Sequence, residues 1–167
     1  MEKLRIPKTK WRQSVLVFCA ASFVAIIDQI TKSLIISNID LGTTTPDEGA
    51  FRLAYSTNEG SIFGLGINST LLLVMAPLII LAILGLFFYY LPSAGRFTRI
   101  GIGLLLGGAV GNLIDRIRFG EVTDFLYIDL GFWPLDPWPS FNVADASLTT
   151  GIFILIFYFF KMAKSPQ

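Results

Sequence analysis

Four carboxylates, Asp28, Asp115, Asp124 and Asp145, stand within or at the edge of strongly apolar sequence, in a chain that contains no histidine. A carboxylate beside hydrocarbon is costly and is seldom kept without a use. Lack of histidine removes His-assisted serine and cysteine nucleophiles, His-ligated zinc and phosphohistidine chemistry. Paired carboxylates remain, and Asp124 and Asp145 stand out because each lies where a hydrophobic segment meets its outer edge. Two carboxylates within a few Å cannot both ionise easily, so one holds a proton near neutral pH while the other stays charged. The charged member can take a proton from water as it attacks a carbonyl, and the protonated member can donate to the carbonyl oxygen. Neither metal nor cofactor is required. Residue chemistry alone leaves the pair open among the four.

The polar neighbours are spaced to meet them. Asn112, Asp115 and Arg116 at i, i+3 and i+4 share one helix face, and so do Asn142 and Asp145 at i, i+3. Asn142 also reads as a plain helix cap. Arg116 is expected to hold one carboxylate ionised or to bind a backbone carbonyl of a substrate. Asp28 is expected to be structural, bonded to backbone or paired with a base. Lys32, one turn on, is expected to snorkel to the interface. A rival enzyme reading is a Ser-Lys hydrolase using Ser61 and Lys32, which needs no histidine. A proton-coupled transporter is a third reading, and it predicts acids near the membrane midplane or on both sides.

The elements that must carry these residues are membrane helices. With 53% hydrophobic and 15% charged residues in 167, and a mean hydropathy of +0.65, the chain is far more apolar than a soluble domain. Four stretches, about 14–36, 70–91, 99–117 and 141–160, are long enough for the roughly 30 Å hydrocarbon core. The fold class is therefore an all-α membrane protein of four transmembrane helices, one integral-membrane domain over 1–167. Lys3, Arg5, Lys8, Lys10 and Arg12 before the first span, Arg96 and Arg99 before the third, and Lys161 and Lys164 after the fourth predict both termini on the cytoplasmic side. Every acid except Glu2 then falls in the outer half, against the transporter reading. The first outer loop, about 37–69, alternates over Phe51–Tyr55 and predicts a small β-containing region on the outer surface. The second, about 118–140, carries Phe132, Trp133 and Trp138 among prolines, as interfacial anchors or as substrate-facing groups. Gly103, Gly107 and Gly111 recur every four residues and predict a close helix seam. Cys19, the single cysteine, reads as a small buried hydrophobe.

At the level of motifs the chain resembles the lipoprotein signal peptidases, or signal peptidase II. The resemblance is carried by Asp28-Gln29-Ile30-Thr31-Lys32, Asn58-Glu59-Gly60-Ser61-Ile62-Phe63, Gly107 to Arg116, Val122-Thr123-Asp124-Phe125 and Phe141-Asn142-Val143-Ala144-Asp145-Ala146, in the family's order. It implies an aspartic endopeptidase of the bacterial inner membrane, working at the periplasmic face. Such an enzyme removes the signal peptide of prolipoproteins just before a diacylglyceryl-bearing cysteine. The resemblance carries the catalytic dyad onto Asp124 and Asp145, and substrate-binding positions onto Asn58, Gly60, Asn112, Arg116 and Asn142. It carries supporting positions onto Asp28, Lys32 and Asp115, with no metal. Expected partners are the membrane-bound prolipoprotein and the lipid bilayer, with no nucleic acid and a monomeric enzyme. Ser61-Ile62 departs from the small residues usual at that place.

Overall fold

The structure, a computed structural model, describes residues 8–58, 75, 78, 79, 82, 95–129, 131 and 139–163. In chain order these form α1 (Lys8–Asn38), β1 (Thr44–Thr45), β2 (Phe51–Asn58), α2 (Arg96–Phe119), β3 (Val122–Ile128) and α3 (Val143–Ala163). All three helices are long and apolar enough to cross a membrane. The expected span at 70–91 lies outside the described residues, apart from Met75, Leu78, Ile79 and Ala82, which are helical.

Helix α2 is the inner helix, packed between α1 and α3. Lipid tails are as apolar as leucine, so burial in water does not drive this packing and close backbone approach has to. The predicted glycine seam supplies that approach against α1. A methyl on Gly103 would lie 2.6 Å from Ala20 Cβ, one on Gly107 would lie 2.5 Å from the Ala21 carbonyl oxygen, and one on Gly111 would lie 2.6 Å from Asp28 Oδ2. Contacts that climb both helices together make α1 and α2 parallel. A second seam faces α3 with the opposite sense. A methyl on Gly108 would meet the Ala144 carbonyl oxygen at 2.5 Å, and one on Gly151 would meet the Gly101 carbonyl oxygen at 2.8 Å. Thus α3 runs antiparallel to α2.

Large apolar side chains point away from these seams: Phe18, Phe23, Ile26 and Leu34 from α1, and Phe153, Phe157 and Phe160 from α3. Lipid is a good solvent for them. Cys19 lies on the same outward side of α1 and is exposed, which corrects the expectation of a buried thiol. Facing hydrocarbon costs a thiol little, so apolar character alone did not tell inside from outside.

The strands form one antiparallel sheet in the order β1-β2-β3. The strand expected at Phe51–Tyr55 runs on to Asn58 and pairs with β3, with Ser56 opposite Asp124, Asn58 opposite Val122, and an irregularity between Leu53 and Ser56. β3 follows α2 almost directly. Gly120 makes that possible, because at φ 81° it takes the left-handed conformation that ends the helix, its N–H bonding to the Arg116 carbonyl. β3 is then clamped to the entry of α3, since the Phe125 and Leu126 N–H both donate to the Phe141 carbonyl, at 3.0 and 2.7 Å. At their other ends α2 and α3 carry Arg96, Arg99 and Lys161 and no acid, so the acids of this helix pair lie at one end.

The seam is open to test. Gly107→Val is expected to destabilise by about 1–3 kcal/mol or more, because the clash is with backbone and cannot be relieved by a rotamer. Thermal unfolding in detergent should show the loss, with lipid-facing Ile156→Val close to wild type.

Candidate active site

The site is built where the C-terminal end of α2 and the start of β3 meet the first turn of α3. Asn142 precedes α3 and caps it: the Asp145 backbone N–H donates to Asn142 Oδ1 at 2.9 Å, and Asp145 Oδ2 accepts the Asn142 backbone N–H at 3.3 Å. This reciprocal arrangement is a capping box with Asp at its third position. With its oxygen held in the cap, the Asn142 amide turns its Nδ2 to Asp124 Oδ1 at 2.7 Å and to the Thr123 carbonyl at 3.2 Å. One fully buried residue therefore meets both candidate carboxylates, Asp124 through its side-chain amide and Asp145 through its backbone N–H. The choice between cap and site residue dissolves, as Asn142 is a cap that also bonds to Asp124.

Each carboxylate has a second amide donor. Asn58 Nδ2, diagonal to Asp124 across the sheet, reaches its Oδ2 at 3.3 Å. Asn112 Nδ2 reaches Asp145 Oδ1 at 2.7 Å. The Asp124 backbone is held as well, its carbonyl accepting the Ser56 hydroxyl at 3.0 Å while Ser56 also bonds Ser140 at 2.8 Å. Burial pushes the Asp124 carboxyl up from 3.8 to about 6, and the nearby charge of Asp145 pushes the same way. The amides of Asn142 and Asn58 and the Lys32 ammonium pull it back.

Behind the pair lies a buried ionic cluster that joins all three helices. Lys32 Nζ is 2.9 Å from Asp28 Oδ2, 3.0 Å from Asp115 Oδ2 and 2.9 Å from Asn112 Oδ1. Gln29 Nε2 donates to Asp115 Oδ1 at 2.9 Å and to the Gly111 carbonyl at 3.1 Å. Asp28 Oδ1 accepts the Ala144 N–H at 2.9 Å and so satisfies a free donor in the first turn of α3. Asp115 Oδ2 accepts the Thr123 N–H at 3.0 Å, which anchors the strand that carries Asp124. Lys32 is 2% exposed and turned inward, which corrects the expectation that it snorkels. A lysine one turn from a buried carboxylate finds a partner nearer than the interface.

Arg116 answers its expectation differently. Its charge faces Asp145, Asp124 and Asp115, in falling order of strength, yet among the described residues it forms no ion pair within 4 Å. Its Nε is buried without a partner. The guanidinium is thus left with donors to offer an incoming acceptor. Gly60 and Ser61 lie outside the described residues, as does the aromatic stretch 132–138. Gln29, Ser56 and Ser140 were missed by sequence reasoning. Gln29 gave a signal, as a polar side chain beside Asp28 in an apolar helix, whereas only the strand pairing reveals the two serines.

A carboxylate pair joined through one asparagine, braced from behind by a buried ion cluster and flanked by an arginine with unused donors, is suited to activating water on a peptide carbonyl. Comparison with known proteins gives the family. The family profile described as Signal peptidase (SPase) II matches residues 20–161. The chain belongs to the signal peptidase II family. The peptidase is 34% identical over 157 residues to the lipoprotein signal peptidase of Chlorobium phaeobacteroides (strain BS1), covering 86% of this chain and 95% of the relative. Against the lipoprotein signal peptidase of Moorella thermoacetica it is 40% identical over 136 residues, 81% of this chain and 86% of the relative. Two solved structures, each described as a bacterial membrane enzyme, superpose with TM-scores of 0.77 and 0.74 at 30% and 32% identity. They cover 90% and 86% of this chain, and each is itself covered to 91%.

Removing one member of the ionic cluster strands the others. Lys32→Met leaves Asp28 and Asp115 buried without their cation and should cost about 3–5 kcal/mol of stability. Adding Asp28→Asn removes one of the two stranded charges while keeping an acceptor for the Ala144 N–H, so thermal unfolding should show the double variant recovering part of the loss.

Proposed function

We propose that this signal peptidase is an aspartic endopeptidase, which removes the signal peptide of diacylglyceryl-modified prolipoproteins by cutting just before the lipid-bearing cysteine. The observation that carries the reading is the joining of Asp124 and Asp145 through Asn142. In the reaction Asp145, which accepts N–H donors at both oxygens, takes a proton from water as the new C–O bond forms. Asp124, whose buried carboxyl holds its proton up to about pH 6, donates that proton to the carbonyl oxygen. The tetrahedral intermediate then collapses and the C–N bond breaks. The leaving amine carries off the proton from Asp145, and Asp124 regains its own from the intermediate's hydroxyl. Arg116 binds a substrate backbone carbonyl with its unused donors, and Asn58, Gly60, Asn112 and Asn142 line the peptide's path.

The helix directions support a four-span topology. Parallel α1 and α2 cannot both cross a bilayer unless the chain returns between them, and the apolar stretch 70–91 is the segment able to do so. Four spans then bring both termini to one side. The basic flanks favour the cytoplasm for that side, and with it the periplasmic edge of the inner membrane for the dyad. There water and a lipid-bearing cysteine arrive together. Exposed Leu41, Phe51 and Leu53 on the neighbouring sheet region offer an apolar surface to the diacylglyceryl chains. One chain supplies every site residue, so a monomer suffices.

The Ser-Lys alternative meets a physical obstacle, because every N–H of the Lys32 ammonium already has an acceptor and no lone pair is on offer as a base. Asp124→Asn and Asp145→Asn should each abolish cleavage of a lipid-modified prolipoprotein, by at least about 100-fold, while remaining folded. Ser61→Ala should still cleave. Retained activity in either Asn variant, read as a gel shift, contradicts the proposal. In the wild type, kcat/KM should decline as pH rises through the Asp124 pKa of about 6, because the acid then loses its proton.

A further inference from the structure

The Asn112 amide has an oxygen end and a nitrogen end, and only its surroundings decide which one faces Asp145. Lys32 decides it. The ammonium directs one N–H to Asn112 Oδ1 at 2.9 Å, with its other donors spent on Asp28 and Asp115. Turning the amide over would set its NH2 against the ammonium, donor against donor, at a site where Lys32 is 2% and Asn112 is 5% exposed and water gives little relief. The same turn would aim a carbonyl oxygen at a carboxylate oxygen now 2.7 Å from Nδ2. We infer that Lys32 is a positioning residue of the reaction: through Asn112 it keeps an N–H on Asp145 Oδ1 and so holds that carboxylate in the orientation in which it takes the proton from water.

The inference rests on the reading of Asp124 and Asp145 as the dyad and deepens it. Asp145's remaining neighbours do not fix Oδ1. The Asn142 N–H reaches only the other oxygen, at 3.3 Å, while the Arg116 charge favours an ionised Asp145 without a hydrogen bond to orient it. If the amide were free to turn, its oxygen would favour a protonated Asp145, the form unable to accept a proton from water. Lys32 also differs from a simple packing residue in sitting two hydrogen bonds from the reacting oxygen, on a helix that carries neither candidate catalytic carboxylate.

The test uses the full-length enzyme in detergent with a lipid-modified prolipoprotein. Lys32→Met alone is expected to be unstable, so the deciding variant is Lys32→Met with Asp28→Asn, which removes one charge of each sign and keeps an acceptor for the Ala144 N–H. The double variant should lose on the order of 10-fold in kcat per folded molecule, because the base is mispositioned. In 15N-labelled enzyme the Asn112 side-chain amide signals should shift as its hydrogen bond to Asp145 is lost. An unchanged kcat per folded molecule, or a loss that merely tracks the folded fraction, overturns the inference. A fully active double variant beside inactive Asp124→Asn and Asp145→Asn sinks the role of Lys32 alone. Active Asp variants would sink the dyad itself.

Discussion

One ammonium buried among two carboxylates and an amide holds this molecule in its working shape. Lys32, Asp28 and Asp115 are each almost fully removed from solvent, and such charges persist only when every donor and acceptor is used. Here they are used across elements. Lys32 and Gln29 tie α1 to α2, Asp28 takes up a free N–H at the start of α3, and Asp115 takes up the N–H that begins the path of β3. Apart from the Lys32–Asp28 pair within α1, these bonds run between elements, so the helices are fixed in register with one another. The glycine seams supply the closeness that such short bonds require.

The pair of carboxylates inherits its geometry from that frame. Asp124 hangs on a strand anchored through Thr123 to Asp115, and Asp145 sits in a helix turn anchored through Ala144 to Asp28. Asn142 closes the gap between them by serving the cap and Asp124 at once. Site and scaffold are therefore one hydrogen-bonded system, and a substitution in the cluster should be felt in the chemistry as well as in stability.

Much of this was legible in the residues. Apolar run lengths gave the described spans, the four-residue glycine rhythm gave the seam with α1, and the i, i+3 spacing of Asn142 and Asp145 gave their shared turn. Other features depend on tertiary partners. The inward turn of Lys32 follows from acids on two helices converging on it, and the outward placement of Cys19 follows from lipid accepting what water would not. β3 falls in a stretch that reads as loop, because its paired strand lies 64 or more positions earlier in the chain and a run as short as Val122–Ile128 signals a strand only weakly on its own. The second seam, through Gly101, Gly108 and Gly151, breaks the regular spacing and spans two helices, so no single-segment pattern reveals it.

Burial and the nearby charge of Asp145 push the Asp124 carboxyl up, and the proposed chemistry stands on that. Titration of 13C-labelled Asp124 by NMR in detergent measures this directly. A midpoint is expected near the value of about 6 that burial and Asp145 together impose, with a lower midpoint in Asp145→Asn, where the repelling charge is gone. A midpoint in the ordinary carboxylate range, unmoved by Asp145→Asn, would contradict it.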